Sequence, residues 1–273
     1  LLPNLLLVEM RRALHRRVVR MLILIALVGC ALAGVIAFTS SAGKTLAELH
    51  AHGSTHPAVM RDWWIAGSGD GALSVSGLFL LLGGLFGGAS VAGAEWRAGT
   101  ITTLLTWEPR RVRVHLSRTA ACGILAAVIA FVLQIVFLAS FLPATLANGS
   151  TAGLDAQWWI ALVAAMLRVS LVTAIGAMLG VALATLGRNT AFALVAVFAW
   201  IVALEGVIRG LEPGWARFLW GENLTLILTW SQLDNVKFQR GPLVALVTVT
   251  LYVSVIIAAA TLVFRRRDVA STS

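Results

Sequence analysis

Six stretches of roughly twenty apolar residues recur along this chain, and no other feature restricts its fold so strongly. They are Val18–Thr39, Ala72–Ala94, Thr119–Leu142, Trp158–Leu186, Asn189–Arg209 and Leu243–Phe264. A soluble core cannot absorb them all. Of the 273 residues, 59% are hydrophobic and 12% are charged, about half the ~25% charge of a soluble domain. As helices, these runs can cross a bilayer because each satisfies its own backbone groups. The sequence thus specifies an all-α membrane protein, one transmembrane domain over residues 1–273 with six transmembrane helices. No A-x-A-like site follows the first run and a basic segment precedes it, which marks a retained span rather than a signal peptide.

The net charge is +9. By sign alone that suits a nucleic-acid binder, but in a membrane protein Lys and Arg collect on cytoplasmic loops. Fourteen basic residues fall on one side, with Arg20 counted at the mouth of its span, against four acids (Glu9, Glu95, Glu108, Asp268). The other side has six basic and eight acidic residues. This asymmetry puts both termini in the cytoplasm and leaves no nucleic-acid partner to explain. Trp63, Trp64, Trp158 and Trp159 then fall at the outer boundary, where indoles prefer to lie. Of the 21 basic residues, only Lys44 and Lys237 are lysines. With the abundant Ala, Gly, Val and Leu, that composition suits a GC-rich bacterial gene and a bacterial plasma membrane.

Two regions are not simple spans. In Leu5–Arg20, Leu7, Met10, Leu14 and Val18 share one helical face, and Glu9, Arg12, Arg16 and Arg20 share another. The pattern predicts an N-terminal amphipathic interfacial helix on the inner membrane surface. From Gly210 to Gly241 the chain is too apolar for a plain outer loop. It is expected to form short re-entrant outer helices before span 6, broken near Gly221-Glu222-Asn223.

Several local patterns carry less than they promise. Ala42-Gly43-Lys44-Thr45 resembles the end of a phosphate loop, but Phe38 stands where the motif needs its first glycine. His50, His52 and His56 have a spacing that could hold Zn or Cu, yet no carboxylate or thiolate completes the set, and no metal site is expected. Cys30 and Cys122 read as small buried hydrophobes. No span carries Asp or Glu at its middle, and Glu205 lies near the outer end of span 5, which argues against ion coupling within this chain. Arg168 lies either inside span 4 or, if Val169–Leu186 is the true span, at the outer headgroups. Gly83, Gly84, Gly87 and Gly88 form two overlapping GxxxG patterns, and Gly176 and Gly180 a third, read as helix packing. Phe79, Leu82 and Phe86 form the bulky side of span 2.

The connection Glu95-Trp-Arg-Ala-Gly-Thr-Ile-Thr-Thr-Leu-Leu-Thr-Trp-Glu-Pro-Arg-Arg111 is the most informative stretch. Thr100 suits the cap of a short helix whose Ile101, Leu104 and Leu105 share one face, and Pro109 stops it. An ordinary inner loop has no use for an apolar face, whereas a docking element does. Here the chain resembles the membrane subunits of type-2 ABC exporters. Glu95, Gly99-Thr100, Leu104-Leu105 and Pro109-Arg110 match that family's signature in order. Val263-Phe-Arg-Arg-Arg-Asp-Val269 is similar to its close, and Glu9-Met-Arg-Arg12 to its opening. Trp107-Glu108 departs from the small apolar residues commoner at that point.

The resemblance implies a permease subunit that pairs with a second permease, identical or related, among membrane lipids. Each permease would rest on a cytoplasmic ABC ATPase that holds ATP and Mg, with no cofactor in this chain and no enzymatic role for it. Glu95, Arg97, Gly99, Thr100, Ile101, Leu104, Leu105, Pro109 and Arg110 would form the coupling helix and its flanks. Phe79, Phe86, Phe198 and Val202 would line the path of an amphipathic or lipid-like substrate such as a drug, lipid or peptide. Two alternatives remain at this level: a sensor or immunity subunit of an ABC complex, and a lipid-modifying enzyme using His50, His52, His56 and Asp62.

Overall fold

The computed structural model describes residues 2–51, 54–65, 71–99, 110–235 and 238–266. Helix α1 (Leu2–Leu14) leads into α2 (Arg17–Ser41), followed by α3 (Ala72–Arg97), α4 (Arg111–Asn148), α5 (Ala156–Gly187) and α6 (Thr190–Leu211). A short α7 (Trp220–Thr229) and the hairpin β1 (Leu233–Asn235) and β2 (Phe238–Arg240) come before α8 (Pro242–Arg266). Six of these, α2 through α6 and α8, are long and apolar enough to cross a membrane. Each apolar run read from the sequence lies within one of these helices, which extend beyond it (α4 most, from Arg111 to Asn148), except that Asn189 lies just outside α6. Its side chain accepts from the Ala191 N–H at 2.9 Å and caps the helix. The protein is a multi-pass, predominantly helical membrane protein.

Helix α5 is the core of the bundle and the most buried span. It packs chiefly on α3, then on α4 and α8. The close pair is α3–α5, and glycine makes it possible. A Cβ at Gly84 would meet the Thr173 carbonyl oxygen at 2.5 Å, and one at Gly88 would overlap that of Ala177. Gly176 and Gly180 reciprocate against the backbone of Leu81 and Leu85. With no side chains between them, the two backbones approach closely. Helix α2 leans on α4 far more than on α3, with Gly34 set against the backbone of Ser140.

One end of the bundle, the basic end, gathers Arg17, Arg97, Arg111, Arg188 and Arg266. At the far end, residues 54–65 fold back over the helix ends. Trp63 and Trp64 are only 3% and 4% exposed there, packed among Phe141, Leu162 and Leu73. Trp63 donates to the Pro57 carbonyl at 2.7 Å. The two indoles therefore belong to a protein core, while Trp159 stays exposed. The region before α8 also differs from its sequence reading. The chain turns at Leu219, after a 3-10 helix at Pro213–Phe218, and α7 runs unbroken through Gly221-Glu222-Asn223. The reason is a carboxylate from elsewhere: Glu205 accepts from the Gly221 N–H at 3.0 Å and so stabilises the first turn of α7.

Candidate coupling site and membrane cavity

Glu95 lies in the last turn of α3 and is 3% exposed. Isolated there, a carboxylate would carry a heavy desolvation cost, and the surrounding elements supply charge to offset it. Arg118 of α4 approaches it at 2.7 Å, as a charge contact rather than an aligned hydrogen bond. Arg16, in the break between α1 and α2, donates to Glu95 at 3.0 Å and to the Ser90 carbonyl at 3.3 Å. Arg12 stands 3.4 Å from Glu95 and 3.7 Å from Glu9. Glu9, 4% exposed, is 3.5 Å from Arg118. Two carboxylates thus face three guanidiniums, and α1, α3 and α4 meet in one knot. Burial pushes the Arg16 guanidinium down from its ordinary value, while Glu95 pulls the other way.

The knot gives the charged face of α1 a partner within the protein. Glu9 and Ala13 of α1 face the protein, Arg16 follows just beyond the helix end, and Leu7, Val8 and Leu14 are exposed. Arg12, Arg16 and Arg118 were not among the coupling residues the sequence pointed to. The spacing Glu9, Arg12, Arg16 was visible, but nothing in sequence shows that Arg118, on a different helix, closes the set.

Of the other expected coupling residues, Arg97 is the exposed last residue of α3. Gly99 follows at φ 65°, a left-handed conformation suited to glycine after a helix end. Arg110 stands at the N-cap of α4. Thr100, Ile101, Leu104, Leu105 and Pro109 lie outside the described residues. Near the knot, the Arg188 guanidinium sits 5.3 Å over the Trp96 ring, and Phe264 of α8 meets Trp96 edge-on at 6.1 Å. The basic ends of five spans are therefore joined.

Between α2, α3 and α4 lies an apolar cavity of about 630 Å³, within the usual range for ligand sites. Phe79 (70% exposed) and Phe86 line it, as do Ile25 and Leu22 of α2. Because Phe79 and Ile25 are also surface residues, the cavity opens sideways. Phe198 is exposed on α6, away from this cavity, and the side chain of Val202 is outside the described set.

The far end holds the remaining polar groups. His50 Nε2 is 2.8 Å from Asp62, whose carboxylate also accepts from the His56 N–H at 3.0 Å. His56 Nδ1 accepts from the Ala58 N–H, so its Nε2 carries the proton and donates to Ser40 Oγ at 2.9 Å. Ser40 in turn donates to Ala37. With Ser40 receiving a proton from the imidazole, the arrangement fastens the end of α2 and does not activate a nucleophile. Burial and Lys44 hold the His56 pKa below its ordinary value. His52 is outside the described residues, among which no three His, Cys, Asp or Glu side chains converge to hold a metal. Thr45, from the apparent phosphate loop, caps the turn Leu46–Leu49 together with Glu48, whose pKa the Thr45 N–H lowers.

Glu205 is 1% exposed and also accepts from the Trp200 indole at 3.1 Å. Arg209 links it, at 3.5 Å, to Glu222 at 2.9 Å. Arg168 lies between the rings of Trp64 and Trp230, at 5.0 and 4.9 Å, roughly 18 Å along α5 from Ala156. Both rings supply a π face to the half-buried cation. Burial lowers the Arg240 pKa, and its guanidinium donates to Asn223 at 2.8 Å. No protein-family model matches this chain, and no curated protein matches it either.

Proposed function

We propose that the chain is the permease subunit of an ATP-driven exporter, coupled at its basic end to a separate cytoplasmic ABC ATPase that binds ATP and Mg. The supporting observation is the position of Glu95. It sits one turn before the connection 100–109 and is tied to α1 and α4 by charge contacts between 2.7 and 3.4 Å. A push on that connection would reach three elements together, as transmission from a moving partner requires. The match of Glu95, Gly99-Thr100, Leu104-Leu105 and Pro109-Arg110 to the type-2 exporter signature points the same way.

In this reading the basic end faces the cytoplasm of a bacterium, following the excess of Arg there. Helix α1 lies on the inner membrane surface with Leu7, Val8 and Leu14 toward lipid. The segment from Pro213 to Arg240 dips into the outer leaflet. A second permease, identical or related, covers the exposed surface of α6, and Phe198 and Val202 join Phe79 and Phe86 along the path of an amphipathic substrate. Co-expression with an ABC ATPase encoded in the same genome tests the proposal. Leu104→Asp with Leu105→Asp should leave a folded permease that no longer copurifies with the ATPase or stimulates ATP turnover. Unchanged assembly and turnover would defeat it.

A further inference from the structure

We infer that Arg168 binds the phosphate of one anionic phospholipid in the leaflet at the far end of the bundle. The inference concerns this chain in a bilayer and does not rest on the export reading.

The first observation is a cation without a counterion. Among the described residues, no carboxylate pairs with Arg168 and no oxygen accepts from it. Its contacts are the rings of Trp64 and Trp230. Nε is buried without a partner, whereas the two terminal nitrogens keep accessible surface. Those two nitrogens form the fork that grips an oxyanion with parallel N–H···O bonds. Trp230 follows α7 at φ 52°, a backbone conformation that suits glycine at a helix end and is unfavourable for a bulky side chain. In that conformation its ring lies against Arg168.

The second observation is the level at which the cation stands. Helix α5 ends at Gly187, beside Arg188 of the basic end. From there back to Arg168 is about 28 Å along the helix, close to the ~30 Å of bilayer hydrocarbon. The guanidinium therefore stands where the headgroups of the far leaflet begin, as the two indoles flanking it also suit. Leu167 and Leu171 are exposed beside it on α5, so an acyl chain attached to the bound phosphate has apolar helix surface to lie on.

Charge then selects the lipid. A phospholipid with one net negative charge neutralises Arg168. A zwitterionic lipid brings an ammonium as well, and the π faces that could receive it already meet the guanidinium.

The test uses the full chain in phosphatidylcholine vesicles. Three probes carry the same diazirine near the ester end of one acyl chain: phosphatidylglycerol, phosphatidylcholine and diacylglycerol, the last having no phosphate. After photolysis, peptide mapping should show phosphatidylglycerol on the segment 160–171 about tenfold above the other two. Arg168→Gln should make the three probes equal on that segment and leave the labelling of α8 unchanged. Arg168→Lys keeps a charge without the fork, so the preference should fall but persist, and this variant carries the test should Arg168→Gln fold poorly. Inorganic phosphate in the buffer should not displace the lipid. Equal labelling of 160–171 by the three probes in the unaltered chain overturns the inference. A preference that survives Arg168→Gln also overturns it, and displacement by inorganic phosphate would assign the fork to a free anion instead. Because no ATPase is present, failure of ATP coupling and failure of this site are separate results.

Discussion

Two glycine pairs on α3, one residue apart in sequence, have opposite roles. Gly84 and Gly88 sit against α5 so closely that no Cβ fits, while Gly83 and Gly87 face α2 across open space. Both pairs read GxxxG. The difference lies in the partner: α5 presents Gly176 and Gly180 to α3, whereas α2 spends its own close approach, Gly34, on Ser140 of α4. Helix α2 is fastened instead at its two ends. Arg16 holds Glu95 at one end, and at the other Ser40 accepts from His56 and Ser41 accepts from Asn148 at 3.2 Å. Its middle stands away from α3, and the cavity is what remains between them.

If end contacts hold the open side, breaking one should hurt more than crowding the closed side. Glu95→Ala leaves Arg16 and Arg118 together without their shared carboxylate, and a cost of about 3–5 kcal/mol is expected. Unfolding of the purified protein in mixed detergent micelles would measure it. A loss below 1 kcal/mol would mean that other contacts hold α2, on the ~3 kcal/mol minimum expected for a broken buried pair. Next in size, Gly88→Ala forces α3 and α5 apart and should cost about 1–3 kcal/mol in the same assay.

Gly83→Ala should have the opposite sign. A methyl group there meets open space, so the helix gains up to about 1 kcal/mol from the better helix former. Two alanines of equal sign would abolish the distinction between the faces.

The smallest effect concerns His56. Its folded pKa lies below the ordinary 6.5, so the unfolded chain takes up the proton first, and stability rises with pH between the two values. The contribution is complete above pH 6.5 and falls as the pH drops toward the folded value. Lys44 and His50 oppose a charge on His56, and Asp62 favours it. Hydrogen exchange at the end of α2 should therefore speed up on acidification, and His56→Gln should remove the pH dependence. Faster exchange on raising the pH, beyond the chemical base rate, would contradict the assignment.

The six spans were legible because each apolar run is long enough to decide its own state, whatever it packs against. Glu95 was also legible, since an acid beside Gly99-Thr100 and Leu104-Leu105 stands out from its surroundings. Residues 100–109, where the sequence reading expects coupling, lie outside the described residues. Glu205 was noticed for its position near the end of span 5, but its link to the start of α7 joins residues 16 apart. Arg168 could not be placed from hydropathy, because its partners Trp64 and Trp230 come from two distant loops.

By itself, then, the sequence determined that six helices are long and apolar enough to cross a membrane, and which of their ends carry the charge. These follow from local hydropathy and from the cost of leaving a backbone unpaired in lipid. Only the tertiary structure decided which glycines touch a neighbour and which leave a space. It also decided which arginines close on Glu95. Those outcomes depend on distances between helices far apart in the chain, and no local pattern contains them.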